Sequence, residues 1–403
     1  MSRMALLLAL LLLPGIALSA EPTPAAEGPA STEAPADAPK PLPPPKLYYK
    51  GGFFLESPDG AFKLKINGRM QARLVWENEP GTDGRRENSG QFSVVRARIK
   101  MKGSLWSGLA ELVLHIDFAK GTFEPKDVTA DFRLVKDHLY LHVGQFKKPF
   151  DRQFILSSSK MQFVERGITE EYFRAGRDLG VMLHNNYEKA KPVAWAIALV
   201  NGSSEKDQLS GGVAVDLATG EGSITGGKFT NVPGKPKPMV VSRVDFIFGD
   251  LNAYAQSEPG KTKKGFAVGA SAQWTGNVDR EGDGAVRGVV DWMGRVNWFS
   301  ASGGFWLASK QDGDLWRDQV FDAWAAQAQV GAILGGVVEP AARYAYIGRA
   351  GSGNDLQEIL GSVGVFIKGH KLKVVTDAGA ILEETATGMD VSYRVRSNLE
   401  IGF

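Results

Sequence analysis

The sequence predicts an all-β protein, a 16-stranded antiparallel transmembrane β-barrel of the outer-membrane kind. Three observations predict it. Apolar and polar residues alternate with period two almost everywhere after Lys50, the mark of strands with one apolar and one polar face. Connections alternate between short Gly turns and long polar loops, as barrels with short periplasmic turns and longer extracellular loops require. The last alternating run ends in an aromatic residue, Phe403.

The N-terminal region reads differently. Arg3, the apolar run Met4–Leu13, the break at Pro14-Gly15 and small residues to Ala20 have the layout of a secretory signal peptide, expected over 1–20. The apolar run is shorter than the ~20 residues of a membrane span. With no Cys after it, it is not a lipoprotein signal. Residues 21–49 hold nine of the 20 prolines and end in Pro41-Leu42-Pro43-Pro44-Pro45, which predicts an extended Ala/Pro-rich linker. The barrel is expected over 50–403.

The first strand is Phe62–Trp76: Phe62, Leu64, Ile66, Met70, Ala72, Leu74 and Trp76 on one face, Lys63, Lys65, Asn67, Arg69, Gln71 and Arg73 on the other. Fifteen residues far exceed the usual strand of ~5–6. In Phe92–Leu105, Val95, Ala97, Ile99, Met101 and Leu105 oppose Arg96, Arg98, Lys100 and Lys102. Strands then follow at Ala110–Phe118, Val128–Val135, Leu139–Lys147, Arg177–Asn186 and Val193–Asn201. After a polar stretch come Met239–Phe248, Phe266–Gly276, Arg287–Phe299, Gly303–Lys310 and Phe321–Leu334. Val337–Gly348, Leu356–Lys368, Lys371–Leu382 and Asp390–Phe403 complete sixteen. Leu251–Ser257 lacks clean alternation and reads as part of a turn, which keeps the even number that closure with both termini on one side needs. Gly335-Gly336 and Gly369-His370 are tight turns; Glu77–Gln91, Lys148–Gly176 and Gly202–Pro238 are long loops.

A soluble β-sandwich also alternates, but with shorter strands and turns every 8–12 residues. Lipid-facing charge costs ~2–4 kcal/mol at the bilayer midplane, so in a barrel the cationic face is the lumen. Trp76, Trp195, Trp274, Trp292 and Trp298 lie on apolar faces, several near strand ends where an aromatic girdle belongs.

Composition narrows function. A chain without Cys has no thiolate nucleophile, Cys-ligated zinc or iron–sulfur cluster. A formal charge of +2 is not the broad basic field of a nucleic-acid binder. Within that near-neutral sum, the lumen face of the first two strands carries Lys63, Lys65, Arg69, Arg73, Arg96, Arg98, Lys100 and Lys102, and no acid of those strands shares it. Alternate residues lie ~7 Å apart, within the ~8 Å Debye length of physiological salt. The cations therefore overlap into one strip along which an anion could pass without a deep trap. Asp117, Asp131, Asp245, Asp291, Glu339 and Glu400 are the acids able to neutralise it, and Glu339 and Arg343 look like a pair on one face.

Several segments resemble the phosphate-selective porin O and P family: Ile66-Asn67-Gly68-Arg69-Met70-Gln71, the basic strand around Arg96-Ala97-Arg98, and Val143-Gly144-Gln145-Phe146-Lys147-Lys148-Pro149-Phe150. Ser157–Arg166, Arg177-Asp178-Leu179-Gly180-Val181 and Glu339-Pro340-Ala341-Ala342-Arg343-Tyr344 continue the resemblance in order. Val94-Val95 stand where the family can carry a denser arginine run. The resemblance implies a usually trimeric outer-membrane channel for phosphate-like anions, with a third extracellular loop folded inward. By position that loop is Lys148–Gly176, which makes Lys160 and Arg166 constriction candidates.

Weaker patterns carry less. His138 and His142 are four apart and read as solvated or lumen-lining histidines, not a metal site. Asp279-x-Glu281-x-Asp283-Gly284 lacks a completed calcium ligand set and reads as an acidic loop. Gly351-Ser352-Gly353 precedes a strand, not the helix of a dinucleotide site. No nucleophile–base arrangement, and so no enzyme, is expected, and no cofactor or metal is implied. The expectation is a passive outer-membrane pore with small anions such as phosphate as solutes. Its partners would be outer-membrane lipid and, through the last strand, the outer-membrane assembly machinery, after export across the periplasm. The alternatives are a weakly selective general pore and a secreted β-sandwich binding polyanionic glycans.

Overall fold

The computed structural model describes residues 43–81, 84–121, 123–202, 209–215, 222–229, 238–260, 263–276, 284–308, 323–349, 355–385 and 388–403. The expected signal peptide, most of the linker, the acidic run 279–283 and the Gly351–Gly353 segment lie outside them.

A short hairpin comes first, β1 (Lys46–Tyr49) and β2 (Phe53–Glu56), so the segment expected as linker ends in a strand. The wall then rises and falls through β3 (Lys63–Pro80), β4 (Arg86–Leu105), β5 (Ala110–Asp117), β6 (Glu124–Val135), β7 (Leu139–Lys147), β8 (Arg177–His184) and β9 (Val193–Val200). A separate hairpin, β10 (Leu209–Val215) and β11 (Gly222–Phe229), lies in the connection to β12 (Met239–Gly249). The wall continues through β13 (Lys263–Gly276), β14 (Gly284–Asn297), β15 (Phe299–Ala308), β16 (Ala323–Ala332), β17 (Val338–Arg349), β18 (Leu356–Phe366), β19 (Leu372–Thr385) and β20 (Gly388–Gly402). Each pairs antiparallel with the next, β9 with β12, and β20 with β3 from Gly402↔Arg69 to Tyr393↔Asn78. That last pairing closes a barrel of sixteen strands, with no sheet edge left along the wall. Closure excludes the sandwich.

The hairpin extends the closing seam. Phe403 N donates to Gly68 O at 3.0 Å, where β20 runs out, and β2 takes over the same edge of β3 two residues further, at Phe53↔Ile66. The Phe53 and Phe403 rings lie 5.8 Å apart. Gly68 leaves room for this: a Cβ there would sit 2.9 Å from the Phe403 ring and 3.2 Å from Arg98 O.

Alternation sorts the side chains as lipid and lumen demand. Met70, Leu74, Trp76, Leu112, Val128, Trp274 and Ile401 are exposed on the outside, whereas Gln71, Arg243, Asp245, Asp291, Arg343 and Glu400 are buried within. Trp324 lies between Phe305 and Tyr346, its ring tilted against theirs at 6.0 and 5.0 Å, at the long-loop end, and Trp298 meets Phe299 at the other.

The second strand departs from simple alternation. Gln71 pairs with Arg96 but Ala72 pairs with Val94, so Val95 is an extra residue in a β-bulge and does not join the apolar face. The bulge reverses parity. Phe92 and Val94 point outward above it, while Arg96 and Arg98 point inward below it; an unbroken strand would put all four on one face. β3 and β4 also run far into the expected loop 77–91, with Asn78 paired to Asn88.

Candidate functional site

The connection 148–176 between β7 and β8 does not lie over the barrel mouth but inside it. Phe150, Phe154, Leu156, Met161, Phe163, Val164 and Phe173 are all essentially fully buried, because an apolar segment in the lumen can leave water only by covering wall or itself. It carries two short helices, α1 (Arg152–Ile155) and α2 (Ile168–Tyr172). Asp151 caps α1 by accepting from Gln153 N at 2.8 Å. Its approach begins at Gly144 (φ +118°), where any Cβ would fall 2.1 Å from Val128 O; no other residue fits that backbone.

Polar contacts pin the loop to the far wall. Arg152 pairs with Asp245 and, at 2.8 Å, with Asp291, the two acids that Arg243 also holds at 2.7 and 2.8 Å. Gln162 donates to Glu339 and Ser300, both at 2.9 Å, and accepts from Gln329 at 2.8 Å. Glu339 therefore does not pair with Arg343. Arg343 instead binds Glu358 at 2.7 Å and lies over the Phe163 ring at 4.2 Å, since the inserted loop takes the space between them.

A second segment comes from the short-turn end. Leu251, Ala253, Tyr254, Ala255, Ser257 and Glu258, between β12 and β13, are buried. Arg295 donates to Gln256 O at 2.7 Å, His370 contacts Ser257 O at 3.0 Å, and Ser257 N donates to Lys160 O at 3.0 Å. Arg152 also reaches Ala253 O at 2.9 Å. The expected turn is thus an inner partition that meets the loop from the opposite end.

The open space lies against β3–β8. It is a cavity of about 470 Å³ whose lining includes Arg69, Arg96, Arg98, Lys100, Lys102, Lys126, Lys147, Arg166, Arg174, Arg177 and Lys189. Four carboxylates face them, Glu111, Asp127, Asp131 and Glu188. Five of the eight cations expected on the lumen stripe are in this lining. Arg73 lies beside it, bound to Glu165 at 2.6 Å. Lys63 sits 3.1 Å from Glu56, and Lys65 packs over the Phe54 ring at 5.2 Å, both beside the β1–β2 hairpin.

The stripe is not free of acid, because neighbouring elements supply what its own strands lack. Arg96 binds Glu165 of the inserted loop, Arg98 binds Asp117 at 2.6 Å, Lys102 binds Glu111 at 2.5 Å, and Arg69 lies 3.6 Å from Glu400. Lys100 keeps no such partner among the described residues. Burial alone would raise the Glu165 carboxyl, but Arg96 and Arg73 outweigh it and hold its pKa below the usual carboxylate range.

The two constriction candidates divide. Lys160 lies outside the cavity lining. Arg166 lines it, yet donates to Gln153 O at 2.5 Å and to Leu156 O at 3.1 Å, as Lys147 does to Phe154 O, Ile155 O and Leu156 O. Both cations hold the C-terminal carbonyls of α1. Sequence reading missed Lys126, Lys147, Arg174, Arg177 and Lys189 as lining residues, since nothing local shows which strands face the unfilled half. His142 faces the lumen beside His184 and Asp131, while His138 is exposed in a turn.

A sequence model of the phosphate-selective porin O and P family matches residues 64–293. None of the curated proteins matches. Among solved structures, an anion-selective porin from Comamonas acidovorans superposes with a TM-score of 0.55 at 10% identity, covering 85% of this chain and all of its own. OmpF of Salmonella typhi in complex with daunomycin gives 0.55 at 12% identity, over 85% of this chain and 98% of its own. The trimer form of OmpT from Vibrio cholerae gives 0.53 at 10% identity, over 85% and 100%. At such identities these share the fold.

Proposed function

The chain belongs to the phosphate-selective porin O and P family, an outer-membrane channel by family and fold, and we propose that its cavity is a passive path preferring phosphate-like anions. The observation that carries this is the lining, eleven Lys and Arg against four carboxylates. Six of the eleven are arginines, whose planar donor forks match phosphate oxygens two at a time, whereas Lys acts as a point charge. Low-dielectric walls on both sides focus that field onto the gap. Lys100 and Lys189 supply charge to the path, and the arginines paired on one side supply further donors. The gradient drives transport, and no covalent chemistry is needed.

The cross-strand pairing of Arg98, Lys102 and Arg177 favours a second reading, a weakly selective general pore. Planar bilayers separate the two. In a KCl gradient the proposed channel gives a reversal potential of anion sign, and added phosphate reduces the chloride current. A cation-selective or near-zero potential overturns the preference. Lys100→Glu is the cleanest charge reversal, because Arg96→Glu would also break the ion pair with Glu165 and set two carboxylates against each other.

We further propose the homotrimer, export by an N-terminal signal and recognition of the last strand by the assembly machinery. Seam contacts of Phe403 with Gly68 and Phe53 support the last of these, because they mark where the strand must dock for closure.

A further inference from the structure

We propose that Asp131 and His142, on adjacent strands of the cavity wall, form a binding site for a divalent transition-metal cation such as zinc, with His184 orienting the carboxylate. Asp131 on β6 pairs directly across with His142 on β7, and His184 on β8 completes a group whose ligand atoms all lie within 4.8 Å of one another. All three line the cavity, so an ion has a path in.

The hydrogen bonds assign the roles. His184 Nδ1 accepts from Asn186 N at 2.9 Å, which places the proton of a neutral ring on Nε2. That nitrogen lies 3.2 Å from Asp131 Oδ1 and donates to it. His184 is thus committed at both nitrogens, and stacking on Tyr140 with ring centroids 5.4 Å apart fixes its plane. The second carboxylate oxygen is left facing His142 Nδ1 at 3.7 Å. This is too long for a hydrogen bond, and the Nδ1 atom is buried without a partner among the described residues. Two ligand atoms on one zinc at ~2.1 Å each, 3.7 Å apart, subtend roughly 120–130°, slightly wider than tetrahedral. Water from the cavity fills the remaining positions. A hydrogen-bond donor behind a ligating carboxylate is the usual supporting arrangement. The Asp131 carboxylate supplies the one formal charge of the set, and a bound divalent ion would reverse its sign on the anion path.

The test is calorimetric titration of the folded barrel in detergent with zinc alone, in a non-chelating buffer. Heat-modifiable gel migration checks that every variant is folded. One equivalent should bind, and His142→Gln and Asp131→Asn should each weaken it at least ~10-fold. His184→Gln keeps a donor for Asp131 and should weaken binding less than either ligand variant; loss as complete as for His142→Gln overturns its orienting role. His138→Ala, in the exposed turn, should change nothing. No binding by the wild type, or binding that survives His142→Gln in a folded barrel, overturns the site. Neither outcome depends on the channel's anion preference.

Discussion

Arg96 Nη2 donates to both carboxylate oxygens of Glu165, at 2.8 and 2.9 Å. One residue belongs to the wall and the other to the loop inserted across the lumen. The pair is therefore at once a latch and a charge cancellation, and Arg73 joins it at 2.6 Å.

Glu165→Gln tests the cancellation. It keeps one acceptor for the latch but returns a full positive charge to the channel wall. A unit charge at 4 Å is worth about 1 kcal/mol in water, and salt screening reduces this. One kcal/mol is roughly a fivefold factor, so even after screening the anion-to-cation permeability ratio should rise severalfold. An unchanged reversal potential in a KCl gradient would show that ions do not pass this pair.

Asp151 makes the loop pH-sensitive. Its carboxyl is 1% exposed, and its second oxygen has no partner among the described residues. Burial, then the nearby charges of Asp291 and Glu170, push its pKa up to about 7 from an ordinary 3.8. The folded protein thus keeps a proton that the unfolded chain loses near pH 4. The contribution to stability is complete below that pH and disappears as pH rises through about 7. A rise of that size corresponds to about 4 kcal/mol at most. Asp151→Asn preserves the helix cap, so thermal unfolding should shift upward at pH 8 and little at pH 4. Equal shifts at both pH values would show an ionised carboxylate throughout.

Sixteen strands were legible because lipid on one side and water on the other force period two on every span, whatever its partners. The same argument placed the cationic stripe on the inner face. It could not place Val95, since a bulge arises from the pairing of two strands and leaves no trace in the pattern of one. Asp117 stood among the acids able to neutralise the stripe, and it does bind Arg98, but Glu165 could not be found as the partner of Arg96, because that contact depends on where a loop folds. Leu251, Ala253, Tyr254 and Ala255 did carry a signal: four such residues in a connection need somewhere dry to go.

Gly68 and Phe403 should prove coupled. Alanine at 68 places a methyl group 2.9 Å from the ring and 3.2 Å from the Arg98 carbonyl, so ring or strand must shift. Gly68→Ala should lower the temperature of heat-modifiable migration, and Phe403→Ala should lower it too. The double variant should lose less than the sum, with an interaction of roughly 0.5–1 kcal/mol, as for residues in contact. Strict additivity would mean that the backbone carbonyl, not the ring, is what Gly68 accommodates.

The inner partition leads to the largest expected effect on conduction. Leu251–Glu258 rises from the short-turn end and is held from three directions, by Arg295 and His370 of the wall and by Arg152 and Lys160 of the inserted loop. Together the two segments fill the side of the barrel bounded by β12–β19 and leave the cavity against β3–β8. On the proposed reading, ions pass through that cavity rather than through the full width of sixteen strands. Replacing Leu251–Glu258 with a short Gly-Ser connection removes the partition but none of the cavity-lining residues. Single-channel conductance should then rise severalfold, and anion preference should fall, as ions gain a second route away from the arginines. A folded barrel with unchanged conductance would mean that the inserted loop closes that side alone. In that case Arg152→Ala should loosen it, because Asp245 and Asp291 would lose a buried guanidinium partner and the loop one of its anchors, at an expected cost of about 3–5 kcal/mol.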